Sequence, residues 1–344
     1  MNRLESSWYR RSPWLSLLMP ASLVYCAVGR LRRLLYRAGW LTRHRIPVPV
    51  IIVGNLTAGG TGKTPLVIWL VDFLRASGYR PGVIARGYKG SARHWPQPVH
   101  AGSDPLVVGD EAVLIAARCG CPVVVGPDRV AAARALLSQS ECDLIIADDG
   151  LQHYALERDM EIVVIDGVRR FGNGFCLPAG PLREPSGRLA EVDIVVVNGA
   201  GGSCEYPMTL RTKCAISLEP GIPPRELAGF EHQPVHAVAG IGNPLRFFSS
   251  LREAGMRLEE HVFPDHHAYV AADLDFGDNR PVVMTEKDAV KCRNLGLGNC
   301  WYIPVTIEMP EQYGARVLEL IARRGSPGMA VVIRQEKGMG AHDG

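Results

Sequence analysis

The stretch VPVIIVGNLTAGGTGKTPLVIWLVDFL, residues 48–74, decides the fold. It predicts a buried strand that runs into a glycine-rich turn, and the turn opens an amphipathic helix. Such a turn lets backbone N–H groups converge on phosphate oxygens, and the helix dipole adds positive potential at the same point. The stretch is therefore typical of a nucleotide-binding phosphate loop on an α/β sheet.

We expect eight consecutive residues of this phosphate loop to bind the nucleotide: Thr57, Ala58, Gly59, Gly60, Thr61, Gly62, Lys63 and Thr64. In such loops the lysine reaches the β- and γ-phosphates and the following hydroxyl ligates Mg²⁺, roles that fall here to Lys63 and Thr64. The loop departs from G-x-x-x-x-G-K-[ST] because Thr57 stands at the first glycine position. The flanking strand and helix still predict binding of a nucleoside triphosphate.

The stretch DLIIADDG, residues 143–150, supplies the acidic partner that a phosphate loop needs for its metal ion. Asp148 and Asp149 follow four apolar residues, at the carboxyl end of a predicted strand, where open α/β sheets bind ligands. Either carboxylate can hold Mg²⁺ directly or through water. ATP is favoured over GTP because the nearest candidate for the guanine motif Asn-Lys-x-Asp reads TEKD, at 285–288.

The rest of the chain predicts an α/β fold: a P-loop NTPase-like, doubly wound parallel sheet and a second, smaller α/β domain. Residues 46–198 form the predicted core domain, because short β-branched runs alternate there with helical stretches. Its predicted strands are 48–53, 81–85, 122–125, 143–147, 161–165 and 193–197. We expect a linker or connecting hairpin at 199–234, the smaller domain at 235–330 and a frayed tail at 331–344.

The composition is that of a globular protein, with 344 residues of which 47% are hydrophobic and 21% charged. The net charge of +3 conceals an asymmetry, since residues 1–45 carry nine arginines against one acid, Glu5. A basic N-terminal segment, which we call the basic head, on an otherwise acidic chain predicts one local anionic partner, and no nucleic acid partner is expected. The nine scattered cysteines contain no Cys-x-x-Cys, which indicates reduced thiols in a cytosolic compartment.

The basic head surrounds an uncharged run at residues 12–29, followed by the amphipathic stretch LRRLLYRAGWL at 31–41. We therefore expect residues 1–45 to be a membrane-anchoring helical segment on the cytoplasmic side of a bilayer. The uncharged run leaves open whether it spans the bilayer or lies within one leaflet. A helical hairpin buried on the catalytic domain is the alternative.

Two further segments place polar residues at predicted turns. In VVGDEAVLIA, Asp110 precedes an apolar helix, where it could cap the helix or take part in proton transfer. In FPDHHAY, residues 263–269, His266 and His267 are adjacent and project differently, so one working imidazole is favoured over a two-histidine metal site.

Eight segments together resemble the tetraacyldisaccharide 4'-kinase family of lipid A biosynthesis, over about residues 5 to 325: GNLTAGGTGKTP, ARGYKG, VGDE, PDR, DDGLQH, LPAGPLREP, FPDHH and MTEKDAVKC. The resemblance implies an enzyme that uses ATP and Mg²⁺ at the cytoplasmic face of the bacterial inner membrane. Its implied substrate is a lipid A disaccharide 1-phosphate precursor, whose 4'-hydroxyl is phosphorylated to give lipid IVA. No protein partner is evident from the sequence.

The resemblance also implies site residues. Asp110 resembles the family's catalytic base, paired with His266, and Lys63 completes the catalytic set. The implied metal ligands are Thr64, Glu111, Asp148 and Asp149. The implied phosphate and substrate contacts are Arg129, Arg183 and Glu184. We expect the two domains to close over ATP and to bring His266 to Asp110.

Two other functions fit a phosphate loop. A membrane-associated switch ATPase would hydrolyse ATP independently of any lipid acceptor. A non-enzymatic ATP-binding module would be indifferent to the loss of Asp110. Neither explains the polar clusters outside the phosphate loop.

Overall fold

The computed structural model describes residues 3–10 and 12–324, so the expected tail at 331–344 lies outside the described residues. The strands of the described chain are β1 (Val50–Gly54), β2 (Pro81–Ala85), β3 (Gln97–Val99), β4 (Val123–Val125), β5 (Leu144–Asp148), β6 (Met160–Asp166), β7 (Ile194–Asn198), β8 (Tyr206–Arg211), β9 (Cys214–Ser217), β10 (Arg225–Glu226), β11 (Pro234–Ala239), β12 (Arg257–Val262), β13 (Val282–Thr285), β14 (Cys300–Ile303) and β15 (Thr306–Glu308).

Helices cover these strands. The α-helices of the described residues are α1 (Arg3–Trp8), α2 (Met19–Arg37), α3 (Lys63–Ala76), α4 (Pro105–Val108), α5 (Asp110–Cys119), α6 (Arg129–Gln139), α7 (Pro244–Glu253), α8 (Glu286–Cys292) and α9 (Glu311–Arg324). Short 3₁₀ helices occur at Pro13–Leu18, Ser186–Glu191, Leu227–Phe230 and Ala271–Asp273.

The larger sheet has the order β15-β8-β7-β6-β1-β5-β2-β4-β3 among the described residues. Its inner strands are parallel, and only the edge strands β3 and β15 run antiparallel to their neighbours. After β5 the chain crosses to the other side of β1 to form β6, so the carboxyl end of β1 lies at a point where the winding reverses. Hydrophobic clusters pack on both faces, which confirms the predicted doubly wound α/β fold.

The strands predicted for the core domain all occur, each within two residues of its predicted bounds. Continuous apolar runs make these strands easy to recognise, because both of their faces are buried. The smaller sheet has the order β10-β9-β14-β13-β11-β12 over the described chain, and β11 to β14 lie, to within one residue, in the range expected for the smaller domain.

The chain passes between the two domains at positions that the sequence does not indicate. The predicted linker at 199–234 contains β8, which joins the larger sheet, and β9 and β10, which join the smaller one. The chain also returns after β14, because β15 pairs with β8 and the last helix packs on the larger domain. Tyr313 and Val317 of α9 are fully buried there. The smaller domain is thus inserted between β8 and β15, a boundary that differs from the expected 235–330.

The domains meet where α5 packs against α8. Arg118 of α5 donates two hydrogen bonds, of 2.8 and 2.9 Å, to the carboxylate of Glu286 at the start of α8. Both bonds come from one nitrogen, Nη1, so the contact is an ion pair that links α5 to α8 across the domain boundary.

The N-terminal segment keeps most of its large apolar side chains exposed, although Trp8 and Leu15 are buried. The segment Pro13–Arg37 is long and apolar enough to cross a membrane, and Leu17, Leu23 and Leu31 are all more than half exposed. Its contacts with the body are local: Ser22 Oγ donates to the carbonyl of Cys176 at 2.8 Å, and Arg33 and Arg37 pair with Glu191. A buried helical hairpin, the alternative from the sequence, is therefore not the arrangement found.

Candidate active site

The phosphate loop is held in shape by a residue that the sequence analysis did not select. Asn55 is fully buried, and its Nδ2 donates to the carbonyls of Thr57 at 2.8 Å and Gly59 at 3.2 Å. Gly59 has a φ of 103° and Gly62 a φ of 96°, in the region that favours glycine. The loop is thereby preorganised, with α3 beginning at Lys63.

Neighbouring segments support the loop from outside. The Ala58 N–H donates to the carbonyl of Pro181 at 2.7 Å, and Asn198 at the end of β7 donates to the carbonyl of Thr61 at 3.1 Å. A Cβ added to Gly62 would meet Asn198 Nδ2 at 2.7 Å, so glycine is required here for space as well as for conformation. Asn198 therefore supports the loop from the end of β7.

Lys63 and Asp149 lie together at the mouth of the loop. Lys63 Nζ is 3.5 Å from Asp149 Oδ1, and Arg183 donates to both oxygens of that carboxylate at 3.0 Å. Burial raises the pKa of Asp149, but the charges of Lys63 and Arg183 outweigh burial and hold the pKa well below its usual range. Asp149 is therefore ionised at neutral pH and bridges two cations.

The pKa of Asp148 is shifted in the opposite direction. Its side chain is 2% exposed, and Oδ1 has no hydrogen-bond partner within the described part of the chain. Burial, with the charge of Glu111, raises the pKa of Asp148 to about 7. A buried carboxylate oxygen without a donor is the arrangement expected of a ligand that awaits a cation.

Arg129 contacts the acidic edge, the name used here for Asp148 and Asp149, and Glu184 follows Arg183 in the chain. Arg129 donates to the carbonyls of Gly126 at 2.8 Å and Asp148 at 3.5 Å, and burial lowers the pKa of its guanidinium to about 10. Glu184 accepts hydrogen bonds from Gln152 at 2.8 Å and from Tyr154 at 2.5 Å. Both side chains are thus engaged in contacts within the protein.

Asp110 and His266 form a pair across the domain boundary. His266 Nδ1 is 2.9 Å from both carboxylate oxygens of Asp110, although the two residues come from different domains. Burial raises the pKa of Asp110, but the His266 hydrogen bond and the charge of Lys287 outweigh burial, so its pKa is lowered. The domains already lie close enough to pair these side chains.

The smaller domain also reaches the phosphate loop. A Cβ added to Gly242, in the turn between β11 and α7, would meet the backbone nitrogen of Gly60 at 3.2 Å. Arg169, which follows β6, donates to the carbonyl of Gly242 at 3.3 Å. The phosphate loop, Asp148, Asp149 and the Asp110–His266 pair therefore all lie along the boundary between the two domains, which we call the cleft.

The comparisons with known proteins agree with this arrangement. The family model described as Tetraacyldisaccharide-1-P 4'-kinase matches residues 14–322. The chain belongs to the tetraacyldisaccharide 4'-kinase family. The resemblance noted in the sequence is thereby confirmed.

Relatives in this family cover nearly the whole chain. A tetraacyldisaccharide 4'-kinase of Nitrosococcus oceani is 53% identical over 314 residues, 91% of this chain and 93% of that protein. That of Aeromonas hydrophila is 50% identical over 311 residues, 89% of this chain and 92% of that protein. A solved structure, the "apo" form of LpxK from Aquifex aeolicus in complex with ATP, is 27% identical with a TM-score of 0.76 and covers 91% of this chain and 100% of that chain.

A lysine of α8 completes the acidic side of the kinase cleft. Lys287 Nζ donates to Glu111 at 3.0 Å and to Asp265 at 3.3 Å. Burial lowers its pKa, but these carboxylates and Asp110 outweigh burial and raise it. Lys287 lies in the MTEKDAVKC segment that carries the family resemblance, and its only signal in the sequence is its position among acidic residues.

The pKa of Asp148 leads to a testable pH dependence. Ionisation of this buried carboxyl is disfavoured in the folded state, so the free energy of unfolding falls as pH rises from the unfolded pKa of 3.8 through about 7. In chelator-treated protein, the stability of Asp148→Asn relative to the wild type should therefore rise between pH 5 and pH 8, by on the order of 2 kcal/mol. Chemical denaturation at several pH values measures it, and a constant difference would contradict it.

Proposed function

We propose that this chain transfers the γ-phosphate of ATP to the 4'-hydroxyl of a tetraacyldisaccharide 1-phosphate, forming lipid IVA. The observation that carries the proposal is one cleft that contains both a preorganised phosphate loop and, across the domain boundary, a carboxylate–imidazole pair 2.9 Å apart. The kinase names of the relatives and the ATP complex of the solved neighbour support it.

Phosphoryl transfer requires positioning and charge stabilisation more than covalent participation of the protein. In the proposed reaction the N–H groups of the phosphate loop and Lys63 bind the β- and γ-phosphates. Arg183, which is held beside Asp149, adds positive charge at the mouth of the loop. Asp110 accepts the proton of the 4'-hydroxyl, and His266 orients the carboxylate and stabilises the charge distribution as the proton moves.

Mg²⁺ is part of the proposal, and the donor set fits it. The oxygens of Asp148 and Thr64 would hold the ion, with Asp149 and Glu111 close by. Carboxylate and hydroxyl oxygens are the ligands that Mg²⁺ prefers, and the partnerless Oδ1 of Asp148 is a buried donor of this kind. The ion, when bound, neutralises charge on the transferred phosphate.

In the proposed function, α2 gives the enzyme access to its lipid substrate at the membrane. Removing a lipid from the bilayer costs about 0.8 kcal/mol for each CH₂ exposed, so a kinase docked at the membrane avoids that cost. The exposed apolar side chains of α2 and the arginines around them suit an interface with anionic lipid. We propose that the chain works at the cytoplasmic face of the bacterial inner membrane.

A transfer assay tests the proposed function. Purified protein in detergent receives γ-³²P-ATP, Mg²⁺ and the tetraacyldisaccharide 1-phosphate, and label should enter the lipid. Omitting the lipid should leave ATP turnover slow. Release of label only as free phosphate, whether or not lipid is present, would contradict the kinase and favour the switch ATPase.

Membrane docking by α2 leads to a second prediction. The variant Leu23→Ser/Leu31→Ser should bind anionic phospholipid vesicles at least about tenfold more weakly, because each leucine buried in the bilayer contributes about 1.5–3 kcal/mol. Co-sedimentation measures the bound fraction. The matched control is Val168→Ser/Leu245→Ser, which removes two exposed apolar side chains, 89% and 67% accessible, from other surfaces. Equal binding of the two variants would show that α2 does not dock there.

A further inference from the structure

A group of nitrogen and oxygen donors lies in the smaller domain, apart from the kinase cleft. Single ligand atoms of His236, Glu259 and His261 all lie within 4.8 Å of one another. His236 is on β11 and pairs in register with Glu259 of β12. Glu259 and His261 are two residues apart on one strand, so all three side chains project from the same face of the sheet.

A carboxylate determines how His236 presents its ring. His236 is 1% exposed, and its Nε2 lies 3.2 Å from Asp278 Oδ1. Because a carboxylate accepts the hydrogen of Nε2, the lone pair of Nδ1 is directed at His261 Nε2, 2.9 Å away. A carboxylate behind a histidine is the usual second partner of a metal-ligating imidazole.

The ring of Phe276 fixes the two imidazoles further. It stacks on His236 with ring centroids 4.1 Å apart and on His261 with centroids 4.0 Å apart. The pairing of β11 with β12, the stacking on Phe276 and the Asp278 contact together hold the two nitrogens facing each other. Preorganisation of this kind reduces the entropy that a ligand must overcome on binding.

The third donor also has one oxygen available. Glu259 Oε2 accepts a hydrogen bond from Arg280 at 2.8 Å, whereas Oε1 lies 3.9 Å from His261 Nε2. Arg280 therefore orients the carboxylate and leaves Oε1 directed at His261, while the Glu259 oxygen nearest to His236 Nδ1 is Oε2, at 3.9 Å. Hydrogen bonds to a ligating carboxylate are a normal part of metal sites.

The spacing of the donor atoms suits a small tetrahedral ion. Zinc binds nitrogen and oxygen at about 2.0–2.2 Å, which places two tetrahedral ligand atoms about 3.3 Å apart. The separation here is 2.9 Å between the two histidine nitrogens and 3.9 Å from His261 Nε2 to Glu259 Oε1, and one ligand atom from each of the three residues lies within 4.8 Å of the others. A shift of about 1 Å at the end of the exposed Glu259 side chain would bring these separations toward the tetrahedral value.

We propose that His236, Glu259 and His261 form a binding site for a divalent transition metal ion of the Zn²⁺ class, with water as the fourth ligand. The ion takes the position of the hydrogen shared by the two imidazoles, and His261 changes tautomer, so that its hydrogen moves from Nε2 to Nδ1 by exchange with solvent and the ring stays neutral. Because β12 is an edge strand, the ion fastens it to β11. The strand leads into the turn that carries His266, so metal binding stabilises the smaller domain next to the cleft.

The test uses the full chain without a polyhistidine tag, in the Cys204→Ser background, because Cys204 is an exposed thiol that could bind zinc itself. After chelator treatment and removal of the chelator, calorimetric titration with ZnCl₂ measures stoichiometry and affinity. Thermal unfolding with and without ZnCl₂ measures stabilisation. CoCl₂ gives a visible absorption spectrum that reports tetrahedral coordination, and MgCl₂ serves as the control ion.

We expect one equivalent of Zn²⁺, a higher unfolding temperature and no comparable effect of Mg²⁺. The variants Glu259→Gln and His261→Ala, both at accessible positions, should weaken Zn²⁺ binding by at least tenfold while circular dichroism shows the native fold. The control variant His94→Ala removes an exposed histidine of the other domain and should bind as the parent does. Zn²⁺ binding that these two site variants leave unchanged, or no stoichiometric binding, would overturn the proposal.

Discussion

Asp110→Asn lowers kcat by about 10²–10⁴-fold and changes the KM for ATP little. The substitution keeps the shape of the side chain and the oxygen that accepts the Glu111 N–H at 2.8 Å, so the start of α5 stays intact. It removes the charge that takes up the hydroxyl proton. Steady-state transfer of labelled phosphate to the lipid acceptor measures kcat, and nucleotide titration measures ATP binding.

A variant of His266 and a control variant extend this experiment. His266→Ala should also lower kcat, and the double variant should lose much less than the product of the two single effects, because the pair acts as one unit. Asp275→Asn changes an exposed aspartate that accepts only the nearby Gly277 N–H. If Asp110→Asn retains wild-type turnover while Asp110→Ala unfolds, then Asp110 serves the helix start and not the reaction.

Lys63→Ala lowers kcat/KM for ATP by about 10²–10³-fold. Lys63 is the first residue of α3, and its ammonium lies 3.5 Å from Asp149, within the mouth of the phosphate loop. Without it the developing charge on the transferred phosphate loses a nearby cation. Arg183 still pairs with Asp149 in the variant, so the fold of the loop should persist.

Three measurements together test the Lys63 prediction. The transfer assay gives kcat/KM, thermal unfolding shows whether the variant folds, and Lys213→Ala removes an exposed lysine from another surface as the control. A variant that folds normally and transfers phosphate at the wild-type rate would exclude Lys63 from the reaction. A variant that binds ATP normally but loses kcat would assign Lys63 to the transition state alone.

The parts of the fold that the sequence predicts well are those where local pattern and burial coincide. The core strands are continuous apolar runs, and the phosphate loop has its own spacing of glycines. β8 was hidden because YPMTLR at 206–211 has only Met208 fully buried, so its pattern does not differ from that of a loop. The return of β15 and α9 depends on pairing across 95 or more residues, which no local pattern records.

The residues of the candidate site also differ in how far the sequence alone predicts them. Lys63 and Asp148 lie in motifs whose spacing has a direct chemical meaning, so they could be selected from the sequence. The pairing of Asp110 with His266 joins residues 156 apart in the chain, and only the family resemblance suggested it. Asn55 and Lys287 act through buried hydrogen bonds and ion pairs, which become visible only when the folded backbone brings their partners together.

The return of the chain to the larger sheet determines when that domain can be completed during synthesis. Tyr313 of α9 packs on Trp69 of α3 with ring centroids 5.3 Å apart, and Trp69 in turn stacks on Phe73 at 4.9 Å. The helix that follows the phosphate loop thus receives its cover from residues 311–324, which leave the ribosome after the whole inserted domain. A nascent chain that ends before residue 311 therefore exposes these aromatic rings, and the nucleotide-binding half of the molecule is finished last although its sequence comes first.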